Sequence, residues 1–412
     1  MHTYVIILII AVCVGLYSAI NIGANDVANS MATSVASGAL TIKKAVFVAA
    51  LGNIIGAVLV GSHVANTVRK GLIDPMQFEG ASQYFVYGML SSVLAAALWV
   101  NIATHFKLPV STTHSIIGGV LGFGLVSVGI GGIKWIVVLY VVLSWIISPV
   151  FGAVISYFIF IIIKKFILSS TEPIKQTKKI GPYFSGLVGF FITLAIIYKG
   201  LENLHLHLPL WESLVISFVV GLGGYWGGKI ILKKYKEKKE DPYSQVERMA
   251  CPLQVLSASF ESFSHGANDV ANAIGPVAAI VVIVQSHEMG TQVSIPFWLL
   301  LLGGLGLAFG IYTWGYKVME TVGKKITSIT PTRGFSAEFG AAFTVLICSR
   351  LGMPVSTTHV SIGNIMGVGL ARGISALNLN VIKRIFTAWV ISVPAAGVFS
   401  IIIYFILIFI FV

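Results

Sequence analysis

The octapeptide GANDVANS at residues 23–30 returns almost unchanged as GANDVANA at 266–273, 243 positions later. PVSTTHS at 109–115 returns as PVSTTHV at 354–360, and VANTVRK at 64–70 has a weaker echo in VMETVGK at 318–324. Three matches in one order mean that an ancestral unit occurs twice, over about 1–165 and 249–412. Residues 166–248 have no counterpart and read as a connector.

The sequence around these motifs belongs in a bilayer. The chain has 412 residues, 56% of them hydrophobic and only 10% charged, with a mean hydropathy of +0.91. A soluble domain carries roughly 25% charged residues. Stretches 136–163 and 385–412 are nearly free of charge, and each exceeds the ~20 residues that cross a hydrocarbon core. The first apolar stretch has no basic leader and runs straight into GANDVANS, so it reads as a retained span. The net charge of +12 fits Lys and Arg gathered on cytoplasmic loops, and no nucleic-acid partner is expected. Cys13, Cys251 and Cys348 are single and set in apolar surroundings, as small packing residues are.

Loop charges orient the halves. The most basic loops are 164–179 and 229–248. Placing both in the cytoplasm requires two spans between them, and 181–199 and 209–230 supply these. Counting outward puts Lys43, Lys44, Lys107, Lys317, Arg333 and Arg372 inside, and 68–80, Lys134 and 285–296 outside. The expectation is an all-α polytopic membrane protein of about twelve transmembrane helices with both termini outside. Its five-crossing repeats are separated by an odd number of crossings, so they have inverted topology, with broken or re-entrant helices at the midplane. Such a pair suits alternating access, because exchanging the conformations of the halves changes which side is open.

Asp26 and Asp269 are acids inside apolar sequence, with no Lys or Arg nearby in either motif. A buried carboxylate must be neutralised. Protonation, a distant Arg or a bound cation would each do so. Asn25 and Asn29 beside the first acid, and Asn268 and Asn272 beside the second, offer hard oxygen ligands suited to Na⁺. Gly23 and Gly266 would permit unwinding that frees carbonyls for the same ion. Small residues and Asn also pack helices together without any ion.

In PVSTTH, proline and the hydroxyl residues fit the first turn of a helix. Ser111, Thr112 and Thr113, with Ser356, Thr357 and Thr358 from the other half, supply two hydroxyl triplets. Two such N-termini meeting at mid-depth would surround a tetrahedral oxyanion with donors and positive dipole ends. The alternative is that these hydroxyls bond only to the preceding turn. His114 and His359 can each donate to the anion or satisfy a carbonyl. No GxSxG elbow or HExxH pair accompanies them, so no enzyme is expected.

These motifs closely resemble those of the inorganic phosphate transporter (PiT) family. The likeness extends through TVRKGLID at 67–74, FSHGANDVANAIGPVAA at 263–279 and ITPTRGF at 329–335, over nearly the whole chain outside the connector. It implies cation-coupled import of inorganic phosphate across the plasma membrane. GANDVAN in both halves looks more like the Na⁺-coupled branch. On that reading the triplets cradle phosphate, the Asp and Asn residues serve Na⁺, and no cofactor is required. Relatives often carry an acid where this chain has Asn53 and Asn66, while Glu320 keeps one in the second half. Coupling to protons or a metal, transport of sulfate, and a homo-oligomeric state stay open.

Overall fold

The computed structural model describes residues 2–70, 72–197, 208–237, 239–286, 295–319, 326–350 and 355–412. Glu320, Pro354, most of 285–296 and the side chain of Asn66 lie outside the described residues. The described residues form an all-helical fold: α1 (His2–Ala36), α2 (Ile42–Lys70), α3 (Ser82–His105), α4 (Thr112–Ser127), α5 (Trp135–Ile163), α6 (Pro173–Ala195), α7 (Leu210–Lys233), α8 (Pro242–Ser286), α9 (Phe297–Trp314), α10 (Pro331–Arg350), α11 (Thr357–Leu370) and α12 (Leu379–Phe411). Among the described residues, eight of these are long and apolar enough to cross a membrane: α1, α2, α3, α5, α7, α8, α9 and α12.

Helices α1–α5 have their equivalents in α8–α12, and the packing is reciprocal. Helix α2 lies on α8 as α9 lies on α1; α5 lies on α11 as α12 lies on α4. The contacts match in detail. Gly23 abuts the Leu307 carbonyl and Gly266 the Asn53 carbonyl; Gly118 abuts the Val393 carbonyl and Gly363 that of Pro149. Direction follows from α1 and α8 themselves. Gly15 faces Val277, while the Ser262 hydroxyl donates to the Ser30 hydroxyl at 2.9 Å. Advancing along α1 therefore means retreating along α8. Two equivalent helices that run antiparallel are related by an axis perpendicular to them, so the halves are inverted.

One expectation needs correction. Helices α1 and α8 are continuous through Gly23 and Gly266, so no carbonyls are released there. The glycines serve contact instead: a Cβ at either position would overlap the neighbouring helix backbone. Unwinding in an apolar setting would also leave N–H and C=O groups without partners. The short elements expected at the midplane follow the hydroxyl triplets. Helix α4 has 16 residues and α11 has 14, about 24 and 21 Å long, short of a ~30 Å hydrocarbon core.

The loops show where these short helices end. Lys134 N–H donates to the Leu72 carbonyl at 3.0 Å, and Ile73 bridges Ile133, so α3 begins and α4 finishes at the same end of the molecule. Likewise the Thr327 hydroxyl donates to the Ala376 carbonyl, joining the start of α10 to the finish of α11. Each pair enters and leaves on one face, and its second helix, α4 or α11, is a half-helix. Parity is unchanged, and the inversion with it.

Helices α6 and α7 pack chiefly on each other, with α6 also against α8. Lys178 pairs with Glu237 at 2.9 Å, so the two basic loops share an end, as the charge reading expects. The cysteines are free; Cys348 is buried in the packing, whereas Cys13 lies on the exposed face of α1.

Candidate functional site

Asp26 stands ten residues from the end of α1, which is about 15 Å along the axis and half a ~30 Å core. Asp269 occupies the equivalent depth on α8. The α3–α4 loop is brought to this level by Asn25. Its amide donates to Thr104 Oγ1 at 2.9 Å and to the Leu108 carbonyl at 3.0 Å, and its oxygen accepts from Val110 N–H at 3.1 Å. Both ends of the Asn25 amide are thus engaged in placing the helix start, away from the acid beside it.

The hydroxyl triplets divide their work. Ser111 and Ser356 are N-caps, accepting from the His114 and His359 N–H groups at 3.1 and 3.2 Å. These satisfy one orphan donor at each helix start. Thr112 donates to Asp26 Oδ2 at 2.9 Å, and Thr357 donates to Asp269 Oδ2 at 3.1 Å. Thr113 and Thr358 cross over, donating to the Val355 and Val110 carbonyls at 3.3 and 3.1 Å. Thr358 Oγ1 is also 3.4 Å from Asp26 Oδ1.

The asparagines complete the exchange. Asn29 donates to Thr358 at 3.0 Å, and Asn272 donates to Thr112 and Thr113 at 3.3 Å each. Each Asn therefore binds the triplet of the opposite half. Asn268 donates to Asp269 Oδ1 at 2.9 Å. All of these side chains are buried, and Asn29 Oδ1 has no partner among the described residues. Among those residues, no Lys or Arg pairs with either Asp. The cluster has hydroxyl and amide donors, two acids, two helix N-termini and one idle carbonyl oxygen. It can take a cation at the acids and an anion at the N-termini.

The histidines settle on carbonyls. His114 Nδ1 lies 3.4 Å from the Trp389 carbonyl, and His359 Nδ1 lies 3.2 Å from that of Trp145. A carbonyl only accepts, so Nδ1 carries the proton in both rings. Pro149 cannot donate back to Trp145, which leaves that carbonyl for His359. Each ring also packs on a tryptophan, with centroids 3.6 Å apart.

Three buried groups escaped the motif reading. Glu338 on α10 accepts from Thr33, from Ser34 at 2.7 Å, from Gln254 at 3.2 Å and from Ser257 at 2.8 Å. Glu261 and His265 lie on α8 at successive four-residue steps before Asp269. The two glutamates carried a signal, an acid inside apolar sequence, but neither they nor His265 belong to a duplicated motif.

Crossing helices in two inverted halves, with two half-helix N-termini meeting two acids at mid-depth, define a polytopic membrane transporter. Residues 22–400 match the phosphate transporter family, and the chain belongs to that family. It is a transport protein, not an enzyme. A chain from Pyrococcus abyssi, named as a candidate phosphate permease, is 46% identical over 397 residues, covering 96% of this chain and 97% of that one. The chloroplastic inorganic phosphate transporter 2-1 of Arabidopsis thaliana is 39% identical over 416 residues, covering 94% of this chain and 70% of that one. A solved structure of a sodium-dependent phosphate transporter superposes with a TM-score of 0.91 at 43% identity, covering 98% of this chain and 99% of that one.

Proposed function

We propose that this chain imports inorganic phosphate across the plasma membrane with Na⁺, by alternating access between the repeats 1–165 and 249–412. The observation that carries the proposal is the pairing of Thr112 with Asp26 and of Thr357 with Asp269. A threonine hydroxyl has one proton to give. While an ionised Asp holds it, that proton is not available to an anion. Na⁺ at Asp26 with Asn29, and at Asp269 with Asn268 and Asn272, would take over neutralisation and release both hydroxyls toward phosphate. The capping Ser111 and Ser356 keep the helix starts aimed at the same point, with Thr113 and Thr358 beside them.

Charge enforces the same order. An anion 4 Å from a carboxylate is opposed by about 4 kcal/mol at an effective dielectric near 20, and a cation between them reverses the sign. Phosphate then enters only a site already filled with Na⁺. The name of the solved relative, sodium-dependent, supports this choice of ion.

The test is ³²P-phosphate uptake into proteoliposomes under an inward Na⁺ gradient, compared with an equal K⁺ gradient. Uptake is expected with Na⁺ alone, and to be lost in Asp26→Asn and Asp269→Asn. Uptake driven by a proton gradient without Na⁺ would overturn the ion. Sulfate flux in place of phosphate flux would overturn the substrate.

A further inference from the structure

Glu338 and Glu261 are both 1% exposed, yet they are served differently. Glu338 is surrounded by side-chain donors from α1 and α8. Glu261 accepts one hydrogen bond, from Ser361 on α11 at 2.5 Å, and its Oε2 has no partner among the described residues. Among the described residues, no Lys or Arg pairs with Glu261.

On the same face of α8, His265 aims Nε2 at Glu261 Oε1 across 3.9 Å, while Nδ1 lies 3.5 Å from Asp269 Oδ2. His265 is 2% exposed, and its Nε2 also has no partner among the described residues. With the Nδ1 proton toward the nearer acid, Nε2 presents a lone pair to Glu261. Two acceptors then face each other, too far apart to share a proton in a hydrogen bond. One hard cation about 2.3–2.6 Å from each atom would span that gap.

We propose that the Glu261 carboxylate, His265 Nε2 and the Ser361 hydroxyl form a further site for a monovalent cation of Na⁺ size, outside both signature motifs. It occurs in one half only. The positions in α1 that match Glu261 and His265 are Ser18 and Ile22, so neither the acid nor the imidazole is repeated. The site sits two turns along α8 from Asp269 and adds a cation to the set bound at the duplicated acids. This inference rests on the Na⁺ reading above.

The test is equilibrium ²²Na⁺ binding to the purified full chain without phosphate, by scintillation proximity, in wild type, Glu261→Gln, Glu261→Asp, Ser361→Ala and the double variant Asp26→Asn, Asp269→Asn. Glu261→Gln is expected to bind one Na⁺ fewer per chain at saturation. Glu261→Asp should restore it at lower affinity. The double variant should keep the component that Glu261→Gln removes. Monodisperse Glu261→Gln that binds as much Na⁺ as wild type overturns the site while leaving the Na⁺ reading intact. Wild type that binds no Na⁺ overturns both. If Glu261→Gln fails to fold, Ser361→Ala decides: Na⁺ affinity at least threefold weaker supports the site, and unchanged affinity overturns it.

Discussion

Thr112 sits between Asp26 and the start of α4, close enough to the carboxylate to donate at 2.9 Å. Hydrogen bonds to charged groups contribute roughly 1.5–3 kcal/mol, and each 1.4 kcal/mol is about tenfold in affinity. Thr112→Val is therefore expected to raise the phosphate KM about tenfold or more at fixed Na⁺. Thr112→Ser should stay near wild type, and initial rates of ³²P uptake would separate the two. At this scale the sequence was readable where chemistry repeats. An acid in apolar sequence and a hydroxyl triplet after proline each carry their own meaning, and duplication strengthens it. What it could not assign was the partner of a versatile side chain. Asn25 and Asn29 look alike four residues apart, yet one anchors a loop and the other binds the opposite triplet. Glu261 and Glu338 are single residues, and their surroundings come from helices far apart in the chain.

Helices carry these side chains, and glycine sets how closely they approach. Gly23 lies against the Leu307 backbone, so a methyl there overlaps atoms that cannot rotate away. Overpacking of this kind costs roughly 1–3 kcal/mol, and Gly23→Ala should lower the melting temperature in detergent. Gly223 on α7 meets nothing within 4 Å. Gly223→Ala should leave that temperature unchanged or raise it, since alanine favours a helix by up to about 1 kcal/mol over glycine. If both variants melt alike, close approach is not the reason for Gly23. The helix starts invite a second comparison. Ser111→Ala removes a cap worth about 1 kcal/mol and one polar group of the site, whereas Ser111→Thr keeps the cap, so uptake should follow capping ability. Composition revealed the glycines but not their use. Unwinding and close packing demand the same residue, and only a neighbouring backbone decides between them.

Inversion follows from reading the whole molecule twice, once in loop charge and once in packing. Loop charge puts 68–80 and Lys134 on one side, and those segments meet through Lys134 and Asp74 at 3.4 Å. It puts Arg333 and Arg372 on the other, and both side chains reach the Ser328 carbonyl, at 3.1 and 3.2 Å. The crossing count was less legible than its parity, because a hairpin that turns back at mid-depth and a pair of full spans have the same hydropathy. The equivalent turns after α4 and α11 provide the decisive positions. Ile130 and Ile374 are 71% and 70% exposed, each beyond the end of a half-helix that starts at the buried cluster. With Cys13, Cys251 and Cys348 replaced, Ile130→Cys in right-side-out vesicles should react with a membrane-impermeant maleimide. Ile374→Cys should react only after permeabilisation. Labelling of both from outside would mean that the two turns share a face, and an axis lying in the membrane plane could not then relate the halves.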